Sequence, residues 1–142
     1  MNLPEASKPL ARRFEGLRLK SYLCPAGVWT VGYGATGPDI GPGKVVTPEW
    51  AEDRLERDLM AFIPQVLKAC PVLLTEPPDR LASILDFTFN LGGARLRAST
   101  LRTRVNARDW AGADHELRKW VRGGGRVLPG LVLRRAADAA LL

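Results

Sequence analysis

Histidine, cysteine and long apolar runs are all scarce in this chain. There is one histidine, His115, and there are two cysteines, Cys24 and Cys70. A structural zinc site draws on a close set of His and Cys ligands, so no metal or other cofactor is expected. Two cysteines make one bridge at most, which excludes a disulfide framework. No stretch approaches the ~18 apolar residues of a membrane span. Residues 1–13 contain no apolar core of the kind found in a secretory signal, so none is expected. Tryptophan and tyrosine are few and are not interleaved with the basic residues, as a base-stacking platform would require. Nucleic acid is therefore not an expected partner.

What is present is an ordinary globular mixture. The 142 residues are 46% apolar and 25% charged. Domains commonly run to ~100–150 residues, so the whole chain, 1–142, is expected to be one domain and a monomer. The formal net charge is +6. It is unevenly placed: residues 1–94 hold 10 basic and 11 acidic side chains, whereas residues 95–142 hold 11 basic and 4 acidic. This excess has two readings, a set of solvated helix faces or a landing surface for an anionic polymer.

The hydrophobic pattern predicts a helix over residues 7–15, with Ser7 as N-cap, Pro9 in the first turn, and Leu10 and Phe14 on one face. Residues 21–36 change texture. Glycines and a proline alternate with Val28, Trp29, Val31 and Tyr33, which predicts an antiparallel hairpin or a three-stranded sheet. Residues 37–46 read as a loop or edge element. Thr47, Pro48 and Glu49 form a helix start, and the apolar spacing carries that helix to about residue 69. Cys70 is expected to pack as a small buried hydrophobe. A helix restarting at Thr75 and ending at Gly92 and Gly93 is apolar nearly all round, so it is expected to be central. Further helices are predicted from Ser99, from Asp109 with Trp110, Ala113, Leu117 and Trp120 on one face, and over residues 131–141. Gly123, Gly124 and Gly125 read as a turn. The fold class is α+β, with a small N-terminal β-sheet lobe, a larger C-terminal helical lobe and a cleft between them.

Residues 15–36, EGLRLKSYLCPAGVWTVGYGAT, carry the chemistry. Glu15 closes a helix just before a glycine, a place where partial burial suits a general acid. Cys24 stands at the mouth of a turn, and Thr30 stands on a predicted strand. Taken alone, Glu15 would pass for a surface carboxylate. The motifs around it resemble those of the phage-type lysozymes, or endolysins, of glycoside hydrolase family 24. They are EG-x-x-L-x-x-Y at Glu15, Gly16, Leu19 and Tyr22, PAGVWTVGYG at 25–34, DFTFNLG at 86–92, STL at 99–101, VN at 105–106, DWAGA at 109–113, and GGRVLPGL at 124–131 followed by Arg134 and Arg135. The ordered set covers nearly the whole chain, and it implies a lysozyme-like fold.

The resemblance implies roles. Glu15 falls where the family has its catalytic acid, and Thr30 where a threonine helps position water. Cys24 falls where many members have a second carboxylate; cysteine in the same C-P-A-G context is the pattern of a subset. A thiolate there has several open roles: a weaker base, a stabiliser of positive charge on the sugar, or a nucleophile. The remaining reading is simple packing. Asn90, Tyr33 and Arg134 are implied substrate-binding residues, with Arg134 also a candidate partner of Glu15 and Asn90 a candidate helix cap. Ala35 replaces a histidine common after G-Y-G, which removes one ion pair expected between the lobes.

The implied activity is that of a muramidase acting on the β-1,4 bond between N-acetylmuramic acid and N-acetylglucosamine of a peptidoglycan glycan strand. The protein would accumulate in the host cytoplasm until a membrane hole releases it to the wall. The basic C-terminal third would hold an anionic cell envelope. Three other readings stand beside this one. A lytic transglycosylase would use Glu15 alone. A cysteine peptidase or amidase would pair Cys24 with His115. A basic wall-binding protein would bind with weak activity.

Overall fold

A computed structural model describes all residues, 1–142. Helix α1 spans Ser7–Glu15, followed by the antiparallel strands β1, Arg18–Leu23, and β2, Trp29–Gly32. Helix α2 spans Pro48–Ala69. A 3₁₀ turn, Pro71–Leu74, leads to α3, Pro78–Leu91, then α4, Gly93–Ala98, α5, Thr100–Asn106, and α6, Trp110–Leu117. A short hairpin of β3, Arg122–Gly123, and β4, Arg126–Val127, precedes α7, Pro129–Ala139. The chain divides into two compact units. One is Lys8–Ala61; the other joins Met1–Ser7 to Phe62–Leu142.

In the first unit the β1–β2 hairpin is joined by a third segment. Lys20 bridges Val45, Ser21 N–H donates to the Lys44 carbonyl, and Val46 N–H donates to the Leu19 carbonyl. Residues 37–46 are thus a loop whose end serves as a sheet edge. The glycine- and proline-rich loop is pinned by Arg54, whose guanidinium donates to Asp39 at 2.8 Å and to the Thr36 carbonyl at 2.6 Å. Val31, Ala35, Ile40 and Val46 make the small core here, with Trp29 and Trp50 packed on it.

Helix α2 starts as its sequence predicts. The Thr47 hydroxyl accepts from Trp50 N–H at 3.0 Å, Pro48 opens the helix, and Glu49 lies at its positive end. Pro64 lies inside the helix. It lacks an N–H, so the Met60 carbonyl loses its usual helical donor in the turn where the two units meet in sequence.

The second unit is built around α3. Eight consecutive residues, Leu81 to Thr88, are buried, including Ser83 and Asp86. Phe87 is fully buried and meets Trp120 edge to face at 5.4 Å between ring centroids. Cys70 is fully buried, as expected. The N-caps at Ser99 and Asp109 also follow the sequence: Ser99 accepts from Arg102 N–H, and Asp109 from Gly112 N–H.

Several boundaries differ from expectation. Thr75 closes the 3₁₀ turn by donating its N–H to the Val72 carbonyl, and α3 begins only at Pro78, because two prolines delay the first helical hydrogen bonds. Gly92 ends α3 with φ of 95°, but Gly93 then opens α4, an element absent from the sequence reading. Trp120 lies beyond the end of α6 rather than on its face. The triple glycine is the turn of a true hairpin, with Gly124 and Gly125 at φ of 59° and 81°, the left-handed pair that a tight two-residue turn requires. Helix α7 begins at Pro129, two residues before the predicted start, because proline suits a first helical position.

Candidate active site

Glu15 is the last residue of α1, and Gly16, at φ of 69°, turns the chain away from it. Beyond the hairpin, Val31 and Ala35 exchange reciprocal backbone hydrogen bonds of 3.0 and 2.8 Å. They pinch Gly32, Tyr33 and Gly34 into a tight loop. A Cβ placed on Gly34 would stand 3.0 Å from Glu15 Oε2 and 3.6 Å from its carboxyl carbon. Gly34 also has φ of 78°. The G-Y-G loop therefore lies directly against the Glu15 carboxylate, and only glycine permits that approach. Ala35, in the place of the expected histidine, is buried in the small core and holds the base of this loop.

Cys24 and Thr30 are brought together by the β1–β2 turn. Cys24 N–H donates to the Val28 carbonyl at 3.0 Å, and Gly27 N–H donates to the Cys24 carbonyl at 2.8 Å. The buried Thr30 hydroxyl donates to the Val28 carbonyl at 3.0 Å, beside the Cys24 thiol. A backbone hydrogen bond from Val28 is the largest influence on that thiol. It acts with those from Ala26 and Gly27 and with the Thr30 hydroxyl to hold the thiol below the ordinary cysteine range, against a smaller opposing effect of desolvation. The polar backbone of this turn stabilises negative charge on the sulfur. It favours the thiolate, the form of cysteine that acts as base or nucleophile. Cys70 shows the contrast: burial pushes its thiol up to about 11, so it is inert.

Tyr33 is half-buried at the tip of the pinched loop. The other two implied substrate-binding residues belong to the helical unit. Arg134 grips Asp86 with two parallel hydrogen bonds, Nε at 2.9 Å and Nη2 at 2.8 Å. Asn90 offers its side-chain oxygen to Arg135 Nη2 at 2.7 Å, and the cap of α3 is Gly92 rather than Asn90. Asp138 lies beside Arg135, at 3.1 Å, and both are fully buried. Burial pushes the Asp138 carboxyl up to about 9, reinforced by its hydrogen bond to Asp86 and by the negative charge there. Burial also opposes ionisation of Asp86, but Arg134, the Asp138 acid and Arg135 outweigh it and hold Asp86 below the usual carboxylate range. One buried cluster thus drives the two acids in opposite directions, Asp138 toward its neutral form and Asp86 toward its ionised form.

Sequence reasoning missed Gly34 as the neighbour of Glu15, and it missed the Asp86–Arg134–Arg135–Asp138 cluster. An acidic residue inside a helix that is apolar on every side was the available signal for Asp86. The remaining candidates resolve simply. His115 is exposed on α6, in the other unit from Cys24. Asn106 donates to the Ala69 carbonyl at 2.9 Å, alongside Arg102, so both cap the end of α2.

An α+β body with an acid closing its first helix, and a hairpin carrying a hydroxyl beside a second ionisable group, is the arrangement of a lysozyme-type hydrolase. The chain belongs to the phage lysozyme family, whose model matches residues 12–138. It is 39% identical over 145 residues to an endolysin of Acyrthosiphon pisum secondary endosymbiont phage 1, covering 99% of this chain and 97% of that relative. It is 37% identical to an endolysin of Bacillus phage PZA, covering 99% of this chain but 55% of the relative. Among solved structures, the muramidase domain of SpmX from Asticaccaulis excentricus superposes with a TM-score of 0.87 at 29% identity, over 99% of this chain and 96% of that one.

Proposed function

We propose that this protein is an endolysin of the muramidase type, one catalytic domain acting as a monomer. It hydrolyses the β-1,4 bond between N-acetylmuramic acid and N-acetylglucosamine in peptidoglycan, without a metal or cofactor. Glu15 is the general acid that protonates the leaving glycosidic oxygen. Its position against Gly34 fixes the carboxyl where a rigid loop, rather than a mobile side chain, limits its motion. Cys24 and Thr30 hold the attacking water: the thiolate accepts its proton as the oxygen attacks the anomeric carbon, and the hydroxyl orients it. Tyr33, Asn90 and Arg134 belong to the substrate-binding surface.

The observation that carries this reading is the geometry of one compact unit: the Glu15 carboxylate lies against Gly34, and a tight turn sets Cys24 beside Thr30. The polar backbone of that turn holds the Cys24 thiol below the ordinary cysteine range, where many relatives of such enzymes keep a carboxylate. The reaction so written inverts the anomeric centre. Its test is proton NMR of the first products from purified peptidoglycan: the α-anomer appears first if water attacks directly. A β-anomer would mean that Cys24 forms a covalent glycosyl intermediate. Products with 1,6-anhydro ends would mean transglycosylation, and either result overturns the mechanism. The shared membership of endolysins also supports accumulation in the host cytoplasm, with release to the wall at lysis. No helix is long and apolar enough to cross a membrane.

A further inference from the structure

The basic third of the chain is less uniform than its composition. Arg104, Arg108, Arg118, Lys119, Arg134 and Arg135 all have acidic partners. Arg102 directs its guanidinium to the carbonyls of Ala69 and Arg97. Arg95, Arg97, Arg122 and Arg126 remain, all exposed and with no acid in salt-bridge range. Two of these four line a single hollow of about 370 Å³: Arg95 from α4 and Arg122 from β3, together with Lys119, Trp120 and Leu91. No acidic side chain lines it. Two unpaired guanidiniums and the Glu116-paired Lys119 thus line a small space together with an indole and a leucine.

Exposed aliphatic side chains accompany these cations. Val127, the strand partner of Arg122, is 48% exposed, and Arg126 lies beside it on the same hairpin. In the first turns of α7, Val132 is 43% exposed and Leu133 58%. A hydrophilic wall polymer gains nothing from bare aliphatic groups, and a nucleic acid would call for several aromatic platforms rather than one. Unpaired cations, an indole and exposed aliphatic side chains on one hairpin and helix start are what an interfacial lipid contact uses.

We propose that this face of the helical unit docks on an anionic membrane, with a lipid phosphate seated between Arg95 and Arg122 and with Val127 and Leu133 entering the headgroup layer. The proposal names the site and the lipid chemistry of the envelope contact. It does not depend on the muramidase reading. Charge loss at this spot should matter more than equal charge loss elsewhere, because only here do unpaired cations converge on a hollow.

The test is co-sedimentation of the full chain with vesicles of phosphatidylglycerol and phosphatidylethanolamine, beside vesicles of phosphatidylcholine alone. The protein should bind the first, release it in high salt, and leave the second unbound. The pair Arg95→Gln/Arg122→Gln should weaken binding ~30-fold, from two cations near an anionic surface. The pair Arg104→Gln/Arg118→Gln removes the same charge and should change binding less than ~3-fold, since both guanidiniums are already neutralised by partners. Leu133→Ser should weaken binding at low salt, where the electrostatic part is intact. Hydrolysis of purified peptidoglycan by both charge pairs should stay at the level of the unaltered protein. Equal losses from the two pairs, equal binding to both vesicles, or no binding by the unaltered protein would each overturn the proposal. Loss of wall binding with vesicle binding intact would identify a wall polymer as the occupant and overturn it too. Absence of hydrolysis with vesicle binding retained would instead count against the muramidase reading alone.

Discussion

Cys24 and Cys70 carry the same thiol into opposite surroundings. Around Cys24 a tight turn sets polar backbone near the sulfur, the thiol lies below the ordinary cysteine range, and solvent reaches the side chain. Around Cys70 there is packing and almost no water, and the thiol keeps its proton to about 11. The same division separates the two units as a whole. The hairpin unit holds its ionisable groups, Glu15 and Cys24, against glycine loops at the surface. The helical unit buries Asp86, Asp138, Arg134 and Arg135 together, pairing Arg134 with Asp86 but leaving Arg135 Nε and Nη1 without a hydrogen-bond partner. The groups proposed to act on the glycosidic bond stand at turns and element ends, whereas the buried charges of the helical unit stand within helices. Loops positioned by a rigid scaffold are where reactive groups commonly sit.

Removing the acid should give the largest effect. Glu15→Gln is expected to lower kcat on purified peptidoglycan ~10³-fold, within the range for loss of a general acid, while the circular dichroism spectrum is unchanged. Retention of more than a tenth of the activity would place the acid elsewhere. Next in size is Gly34→Ala. Its Cβ would press on the Glu15 carboxylate from a backbone conformation that disfavours any side chain, and a ~10²-fold loss is expected from misplacement of the acid. If kcat is kept and only stability falls, Gly34 serves the loop and not the acid.

The two thiols make a smaller and sharper test. Iodoacetamide should modify Cys24 alone in the folded protein, with a pH midpoint below that of a free thiol, because the thiolate is the reactive species. Cys70 should react only after denaturation, and peptide mapping would report which sulfur is alkylated. Equal reaction at both sites would dissolve the contrast drawn above.

The smallest effect concerns the buried acids. Asp138 keeps its proton in the fold up to about 9 but would release it at the ordinary carboxylate range when unfolded. An acid with a raised folded pKa contributes stability below the unfolded pKa and loses it as pH rises toward the folded one. Asp138→Asn keeps a neutral donor to Asp86 and removes that dependence. The melting temperature of the variant should gain steadily on the unaltered protein as pH rises from about 4 to about 8. A gap that is constant with pH would mean that Asp138 is ionised in the fold.

Much of the scaffold could be read from residues alone. Helix α1 runs over the predicted residues because Pro9 and the apolar spacing agreed, although Ser7 is its first helical residue, with an unpartnered hydroxyl, rather than its cap; α2 runs over Pro48–Ala69, where cap, proline and spacing all agreed. Failures came where two local signals competed. Pro77 and Pro78 displaced the start expected at Thr75, and Gly93 began a helix that its neighbour Gly92 had appeared to end. At the candidate site, Glu15, Cys24 and Thr30 were legible through ordered motifs. The approach of Gly34 to Glu15 was not, since it depends on a reciprocal hydrogen-bond pair between Val31 and Ala35 that leaves no compositional trace. The basic third was legible as a sum of charges, but which cations were already neutralised emerged only from the paired geometry.

The burial of Asp86, Arg134, Arg135 and Asp138 has a further consequence. None of the four regains bulk water while α3 and α7 stay packed, so their contact with solvent reports the opening of that pair. Exchange of the Arg134 guanidinium protons held on Asp86 with deuterium would therefore serve as a built-in clock for opening of α3 against α7.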